Sequence, residues 1–338
     1  MERRLHRRPR PGGEASGGRA RARLALALSL VLLGTAEAGW VVASGPAVRP
    51  APATHRASTP GIAATRPIVL STAWLNAHPQ PDLHVLAQAA VLVDVDRGQV
   101  LWARDASSRR APASLAKLVT AMVAADLTSL DTRVRVTSAT DAAAVRKVEP
   151  ESTVMGLDAG EVLTVRELMY GLFLRSGNDA AETLGGGIVP RDRFVRLMNA
   201  KAAALGMRHS HFTTPVGLDD PGMYTTADDM AVAASAIVTR YPRLLAIAGT
   251  PSIQIPASAT HKAYDLVNYN QLVRPGTAYA YPGATGMKTA FTDDAGPCMV
   301  ASAQRGRRRL VAVVMHSSNF FADAVALLNY GFGLPAEA

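Results

Sequence analysis

Two residue types that often carry structural chemistry are scarce in this 338-residue chain. It has a single cysteine, Cys298, and only five lysines among its 36 basic residues. One cysteine cannot form an intrachain disulfide, so a disulfide-stapled fold is excluded. Charged residues make up 19% of the chain and hydrophobic residues 48%, which is typical of a protein with a sizeable core. Because lysine is so rare, Lys117 and Lys288 become candidates for specific chemical roles.

The positive charge of the chain is concentrated at its beginning. The formal net charge is +9, but residues 1–23 hold eight arginines against Glu2 and Glu14. That segment therefore carries +6 and leaves +3 for the rest of the chain. A basic surface on the folded part is not expected, and no nucleic-acid partner is predicted.

Residues 1–43 have the three parts of an export signal. The arginine-rich start is followed by an apolar run over residues 24–33 and by a small-x-small site at residues 36–38. The apolar residues that follow Trp40 extend this stretch to nearly the length of a membrane span. An uncleaved N-terminal membrane anchor is therefore the alternative to a signal peptide. Both interpretations predict that the bulk of the chain is exported and acts outside the cytoplasm.

Residues 44–69 are rich in proline and alanine and predict an extended linker. We expect the folded domain to occupy residues 70–335. Because only a short tail follows that range, any membrane tether is expected at the N-terminal end.

Apolar periodicity and turn residues predict an α+β fold. Two hairpins are predicted, one from strands at 90–95 and 99–103 and one from strands at 297–304 and 309–315. Helices are predicted between and after them, at residues 114–127, 164–175, 192–205, 227–239 and 322–331. Thr164 and Glu167 match a capping box and mark the beginning of one helix. Strands near both ends of the domain predict an antiparallel sheet that distant segments complete.

The first chemical candidate is the pair Ser114 and Lys117, at the beginning of a predicted helix. Three residues apart, the two side chains project from one helical face. A serine hydroxyl needs an adjacent base to act as a nucleophile, and burial can lower the pKa of a lysine enough to make it that base. S-x-x-K is common by chance, however. On this motif alone, the simpler interpretation of Ser114 as a helix N-cap is favoured.

Two later stretches offer complementary groups. Ser176-Gly177-Asn178 follows a predicted helix and supplies a hydroxyl for proton relay and an amide for a substrate backbone. A helix C-cap followed by an N-cap explains this triplet about as well. Lys288 and Thr289, on a predicted strand, supply a positive charge and a hydroxyl that suit a substrate carboxylate. The alternative for Lys288 is a lysine that protects a sheet edge.

The order S-x-x-K, S-x-N and K-T-small residue is that of penicillin-binding proteins and class A β-lactamases. Longer stretches agree with it, among them "FTTPVGLDDPGMYTTADDMA", "GMKTAFTDDAGPC" and "LLNYGFG". Residues 75–333 resemble the serine-type D-Ala-D-Ala carboxypeptidases, the low-molecular-weight penicillin-binding proteins. The resemblance implies a DD-peptidase/β-lactamase-like fold, with an antiparallel sheet flanked by helices and an all-helical subdomain. It also implies an enzyme without a cofactor that acts on peptidoglycan pentapeptides and is inhibited by β-lactams.

The resemblance assigns a role to each motif residue. Ser114 is implied to be the acylated nucleophile and Lys117 its general base. Ser176 and Lys288 are implied to relay a proton to the leaving D-alanine. The reaction implied is acyl transfer to serine, release of D-alanine and attack by water.

The remaining implied roles concern binding, and two departures from the family lie beside them. Asn178 is implied to bind the donor peptide, and the backbone N–H groups of Ser114 and Phe291 would form an oxyanion hole; Thr289, with Lys288, keeps the carboxylate-binding role that its hydroxyl suggests. The third motif ends in Ala290 where the family usually has glycine, and Phe320 stands where it often has a carboxylate-binding arginine. We hypothesise that these changes weaken the preference for a free D-alanine terminus. Neutral drift is an equally good explanation.

Other functions stay open on the sequence alone. A DD-endopeptidase of the same family would use the same residues on cross-linked peptides. A β-lactamase would need a separate base for deacylation, and no glutamate with that role can be identified. A weakened wall-binding protein is the alternative from another class.

A metal site is not expected. His209 and His211 form an H-x-H pair, but no carboxylate or cysteine ligands cluster with them in the sequence. The glycines at 185–187 lack the ending of a phosphate-binding loop. Cys298 is expected to be an inert core residue.

Overall fold

The computed structural model describes residues 66–335. The predicted signal or anchor at 1–43 and residues 44–65 of the predicted linker lie outside the described residues, and the domain boundaries stay predictions. At the end of that linker, the backbone N–H of Ile68 donates to the carbonyl of Leu205 at 2.9 Å. Within the described range, no single helix is long and apolar enough to cross a membrane. Ala227–Arg240 and Pro242–Ala248 reach that length and composition only as a pair, which is bent by 109°.

Strands lie near both ends of the described chain, and helices dominate its middle. The strands are β1 (Ala89–Asp94), β2 (Gln99–Arg104), β3 (Arg133–Arg135), β4 (Val162–Thr164), β5 (Ser252–Ile255), β6 (Tyr264–Val267), β7 (Ala284–Ala290), β8 (Cys298–Arg305) and β9 (Arg308–Met315). The α-helices are α1 (Ala73–Ala77), α2 (Lys117–Leu127), α3 (Ala142–Val148), α4 (Val165–Leu174), α5 (Asn178–Gly187), α6 (Arg191–Leu205), α7 (Ala227–Arg240), α8 (Pro242–Ala248) and α9 (Phe320–Gly333). Short 3-10 turns occupy Ala113–Ala116 and Gln271–Val273.

A five-stranded antiparallel sheet forms the centre of the described domain, in the order β2-β1-β9-β8-β7. β1 and β9 are more than 200 residues apart in sequence, yet they pair along the whole of β1, with Val91 opposite Val313. Both strands are apolar runs, as expected for strands that are covered on both faces. The prediction of an antiparallel sheet completed by distant segments is confirmed.

Different helices cover the two faces of this sheet. Side chains alternate between the faces along a strand, so Val91 and Val93 pack into a large core with helices α2, α4 and α7. Ala90 and Leu92 point the other way and pack into a smaller core against α9. This arrangement places the helix that follows Ser114 on one face and the last helix on the other. The predicted α+β class, with helices flanking the sheet, is confirmed.

The helices in the middle of the chain begin where the sequence signals place them. Thr164 and Glu167 form the predicted capping box at the start of α4, each side chain accepting from the other residue's backbone N–H. Two short ladders, β3–β4 and β5–β6, also lie in this mainly helical region. The sequence analysis did not predict them, because strands of three or four residues show too little periodicity.

Candidate active site

Ser114 lies in the tight turn that precedes α2. Ala113, in the same 3-10 turn, has a φ of +45°, which residues with a side chain rarely adopt. Gly217 packs against this turn so closely that a Cβ there would lie 1.9 Å from the carbonyl oxygen of Ala113. The side chain of Ser114 caps neither the turn nor α2, so the N-cap interpretation is wrong. Ser114 is half-buried and lines a cavity of about 840 Å³.

Lys117 is fully buried beside that serine. Its Nζ lies 2.7 Å from Ser114 Oγ and 2.6 Å from Asn178 Oδ1, and it also donates to the backbone carbonyl of Val216 at 3.3 Å. Burial lowers the pKa of Lys117 from 10.5 to about 7, although the carboxylates of Asp179 and Glu182 act in the opposite direction. The neutral amine is therefore well populated at neutral pH, as a general base requires.

The Ser176-Gly177-Asn178 triplet connects α4 to α5, but its side chains point into the site. Ser176 is buried with a φ of +57°, and its Oγ accepts a hydrogen bond from Lys288 Nζ at 2.8 Å. Asn178 holds Lys117 with its Oδ1 and donates from Nδ2 to Ser152 Oγ at 2.9 Å. Both ends of the amide are thus engaged within the protein, and its predicted contact with a donor peptide stays a prediction.

Lys288 belongs to the edge strand β7 but faces inward. Only 1% of its surface is exposed, so the edge-protecting interpretation is wrong. Its Nζ donates to Ser176 Oγ and to the carbonyl of Thr289. Burial, and secondarily the charge of Lys117, lower the pKa of Lys288 well below its ordinary value. Lys117 contacts Ser114 and Asn178, and Lys288 contacts Ser176, so the three sequence motifs converge on one place.

The strand end beyond Lys288 forms one wall of the cavity. Thr289, Ala290 and Phe291 line it, and Phe320 at the first position of α9 lines it as well. The Phe291 side chain is 63% exposed, while Phe320 packs on Phe321 with ring centroids 4.4 Å apart. Both departures from the family pattern, Ala290 and Phe320, thus lie at the cavity itself.

Carboxylates dominate the charge of this cavity. Of the described residues that line it, four are acidic and none is an arginine; the acidic ones are Glu149, Glu151, Asp219 and Asp293. Asp219 is tied to the segment after β7, because its carboxylate accepts from Thr292 Oγ1 at 2.6 Å. The lining of the cavity is therefore negatively charged, whereas the two lysines of the site, Lys117 and Lys288, are buried.

A buried aspartate that the sequence analysis missed supports the triplet. Asp179 is fully buried, and its carboxylate accepts from the backbone N–H groups of Met155, Gly156, Leu157 and Ala180 at 2.8–2.9 Å. Thr153 lies two residues before this segment; its Oγ1 donates to the carbonyl of Ser176 and its carbonyl accepts from the N–H of Asn178. The sequence around Asp179 contains no motif that predicts this role, because all but one of its hydrogen-bond donors come from a loop more than 20 residues away.

The residues for which no chemical role was predicted, His209, His211 and Cys298, make contacts typical of structural residues. His211 Nδ1 is hydrogen-bonded to the carbonyl of Gly222, and the backbone N–H of His209 donates to Asp229. Among residues 66–335, no group of three His, Cys, Asp or Glu side chains is placed to hold a metal ion. Cys298 is fully buried on β8, and burial raises the pKa of its thiol to about 11.

Comparison with known proteins agrees with this geometry. Residues 75–319 match the family described as D-alanyl-D-alanine carboxypeptidase. The chain is 36% identical to D-alanyl-D-alanine carboxypeptidase DacB2 of Mycobacterium tuberculosis, over 78% of this chain and 90% of that protein. It is 33% identical to D-alanyl-D-alanine carboxypeptidase DacA of Escherichia coli K12, over 78% of this chain and 67% of that protein.

A solved structure shows the same fold. The crystal structure of the Streptomyces K15 DD-transpeptidase is similar with a TM-score of 0.67 and 28% identity, covering 76% of this chain and all of that one. The family match spans well over half of the chain and includes all three motifs of the cavity. The chain belongs to the D-alanyl-D-alanine carboxypeptidase family.

Proposed function

We propose that this protein is a serine-type D-Ala-D-Ala carboxypeptidase that acts on peptidoglycan stem peptides through an acyl-enzyme on Ser114. The observation that carries the proposal is the 2.7 Å contact between Ser114 Oγ and the amine of Lys117, whose pKa is about 7. A serine at the edge of a peptide-sized cavity, beside a buried neutral amine, is the arrangement that nucleophilic catalysis needs.

The acylation step follows from these positions. Neutral Lys117 takes the proton of the Ser114 hydroxyl while Oγ attacks the carbonyl carbon of the penultimate D-alanine. The oxyanion that forms is stabilised by the backbone N–H groups of Ser114 and Phe291. The tetrahedral intermediate collapses by breaking the C–N bond. The proton that Lys117 took from Ser114 passes through the hydrogen-bonded pair Lys288 and Ser176 to the leaving nitrogen, so Lys117 is neutral again.

Deacylation reuses the same groups. Water enters the cavity after the free D-alanine departs, and Lys117 removes a proton from it as it attacks the ester carbonyl. The protonated lysine then returns the proton to Ser114 Oγ. A β-lactam would acylate the same serine, but its ring-opened leaving group stays attached to the acyl carbon. In this proposal the products are D-alanine and a shortened stem peptide, and the enzyme acts where peptidoglycan lies, outside the cytoplasm.

A DD-endopeptidase is the second candidate, favoured by one observation. Phe320 gives the lining of the cavity an aromatic surface, whereas a charged carboxylate-binding residue would suit a free D-alanine terminus. Defined muropeptides separate the two activities. Release of D-alanine from monomers supports the carboxypeptidase, and conversion of cross-linked dimers to monomers supports the endopeptidase.

The direct test is to locate the acylated residue. After incubation with benzylpenicillin, mass spectrometry of proteolytic fragments should place one adduct on Ser114 and none on the Ser114→Ala variant. The muropeptide assay then follows with the same two proteins. An unlabelled native protein, or an adduct at another residue, would contradict the proposal. Turnover of the chromogenic β-lactam nitrocefin at a rate comparable with peptide cleavage would favour a β-lactamase instead.

A further inference from the structure

A second cavity, of about 470 Å³, lies directly beside the first. Val148, Asn178, Val216 and Leu218 line both cavities and so form a shared wall. Two of these four residues hold the catalytic lysine, because Asn178 Oδ1 and the carbonyl of Val216 both accept from Lys117 Nζ. Whatever occupies the second cavity therefore touches the residues that position the base.

The second cavity has the surface of a binding site for a polar, partly apolar chain. Aliphatic residues such as Val145 and Val148 line it together with Thr137, Thr140 and Thr214, whose hydroxyls also make hydrogen bonds within the protein. Pockets of this composition bind ligands through apolar contact and a few placed hydrogen bonds. Methyl and amide groups, the repeating parts of a short peptide, match both kinds of surface.

Its charge is opposite to that of the catalytic cavity. Glu182 and Arg191 neutralise each other through two hydrogen bonds of 2.7 and 2.9 Å. Arg135 is exposed, donates from Nη1 to the carbonyl of Gly160, and has no carboxylate partner among the described residues. The unbalanced charge is therefore one arginine, next to a catalytic cavity that is lined by four carboxylates.

We propose that the second cavity is an extension subsite for the part of the stem peptide that precedes the scissile D-alanine, with Arg135 binding a carboxylate of that part. This inference rests on the proposed function. In stem peptides with a diamino acid at the third residue, that residue carries a free amino group, and a γ-linked glutamate before it carries a free α-carboxylate. The amino group then faces the acidic cavity and the carboxylate faces Arg135. Consecutive residues span about 3.5 Å each, so the proposal requires the stem peptide to cross from one cavity to the other within two or three residues, past the residues that line both.

Occupation of the subsite has a consequence for the chemistry. A peptide packed against Val148 and Val216 orders the shared wall and, through Val216 and Asn178, the position of Lys117. Binding energy from a remote part of the substrate then appears partly in kcat, rather than in KM alone. A longer stem peptide should accordingly be turned over faster than its C-terminal fragment.

The test compares three synthetic substrates that share the same D-Ala-D-Ala end. One is a pentapeptide with a free α-carboxylate at its second residue, one has an amide there, and one is an acylated tripeptide without the first two residues. Arg135→Gln removes the proposed carboxylate partner, and Ala144→Leu fills the cavity without changing its charge. Arg133→Gln is the matched control, because Arg133 is exposed on the same strand and does not line the cavity.

We expect the native protein to prefer the carboxylate pentapeptide over its amide by about tenfold in kcat/KM, the effect of one charge-assisted hydrogen bond. Arg135→Gln should reduce that ratio to about one, and Arg133→Gln should leave it unchanged. Ala144→Leu should lower kcat/KM for both pentapeptides relative to the tripeptide.

An equal ratio in the native protein and in Arg135→Gln, or equal rates for pentapeptide and tripeptide in the native protein, would overturn the subsite. Those results would leave the proposed function intact. By contrast, failure of the native protein to release D-alanine from any of the three substrates would refute the carboxypeptidase assignment, and the subsite with it.

Discussion

Removing the negative charge of Glu182 should move the pH dependence of acylation to lower pH. In the proposed mechanism the active form of Lys117 is the neutral amine, so acylation of Ser114 should follow the fraction of Lys117 that is deprotonated. The carboxylates of Asp179 and Glu182 favour the protonated amine and thus raise the pKa that burial has lowered. Glu182→Gln removes one of these charges and leaves the Arg191 cation without its partner. Both changes lower the pKa of Lys117, so the neutral amine persists to lower pH.

The size of the effect follows from electrostatics. A fall in pKa from 10.5 to about 7 corresponds to about 5 kcal/mol in favour of the neutral amine. About half of the Lys117 side chains are then neutral at pH 7, against roughly three in ten thousand for an ordinary lysine. In the native protein, the second-order rate of acylation should fall about tenfold per pH unit below pH ~6 and level off above pH ~8. Loss of one nearby carboxylate should move the midpoint down by about half to one pH unit.

The assay is the rate of labelling by a fluorescent penicillin between pH 5 and pH 9, measured on three variants. Glu182→Gln should move the midpoint down. Arg191→Gln should move it up, because Glu182 then acts on Lys117 without its counterion. The double variant restores the neutrality of the pair and should titrate close to the native protein. A midpoint that stays near pH 7 in all three, or that moves up in Glu182→Gln, would refute Lys117 as the titrating base.

Three further predictions concern other parts of the structure. Asp179→Asn should lower the free energy of unfolding by roughly 3 kcal/mol, because an amide leaves buried N–H groups without an acceptor. Denaturant unfolding measures this change. Asp82→Asn is the control and should change the free energy of unfolding little, because the Asp82 carboxylate is exposed and accepts from one backbone N–H. The double variant Ala290→Gly with Phe320→Arg should raise selectivity for a free D-alanine terminus over its amide by about tenfold, through a bidentate carboxylate contact; an unchanged ratio of kcat/KM would mean that both departures are neutral. Cys298 should resist a thiol reagent in the native state and react only in denaturant, because its thiol is buried and its pKa is raised to about 11; prompt native labelling would contradict the buried placement.

Much of the fold could be predicted because its signals are local. The hairpins β1–β2 and β8–β9 have glycine turns between apolar runs, and the capping box of Thr164 and Glu167 marks the start of α4. The two short ladders and the short helices α1, α3 and α8 were missed. Each is too short for its apolar period to stand out, and each is stabilised by the domain around it rather than by its own propensity.

The chemistry of the site could be predicted only in part. The S-x-x-K spacing predicts that a serine and a lysine share one helical face, but it does not predict that this face is buried. The pKa of Lys117 is set by its burial, and burial is a property of the assembled domain. Likewise, nothing in the local sequence shows that Lys288 of an edge strand turns inward to Ser176. It was the order of three motifs along the chain, rather than any one of them, that favoured a catalytic interpretation.

The residues that sequence reasoning missed are the ones that hold the predicted residues in place. Ala113 and Ser176 both have positive φ angles, a conformation that costs about 1–3 kcal/mol for a residue with a side chain. Such strain persists only where the surroundings impose it. Gly217 has no side chain to displace the carbonyl of Ala113, and Asp179 fixes the loop whose Thr153 binds the carbonyl of Ser176. The positions of Ser114 and Ser176, the proposed nucleophile and relay hydroxyl, therefore depend on two residues that belong to none of the three motifs.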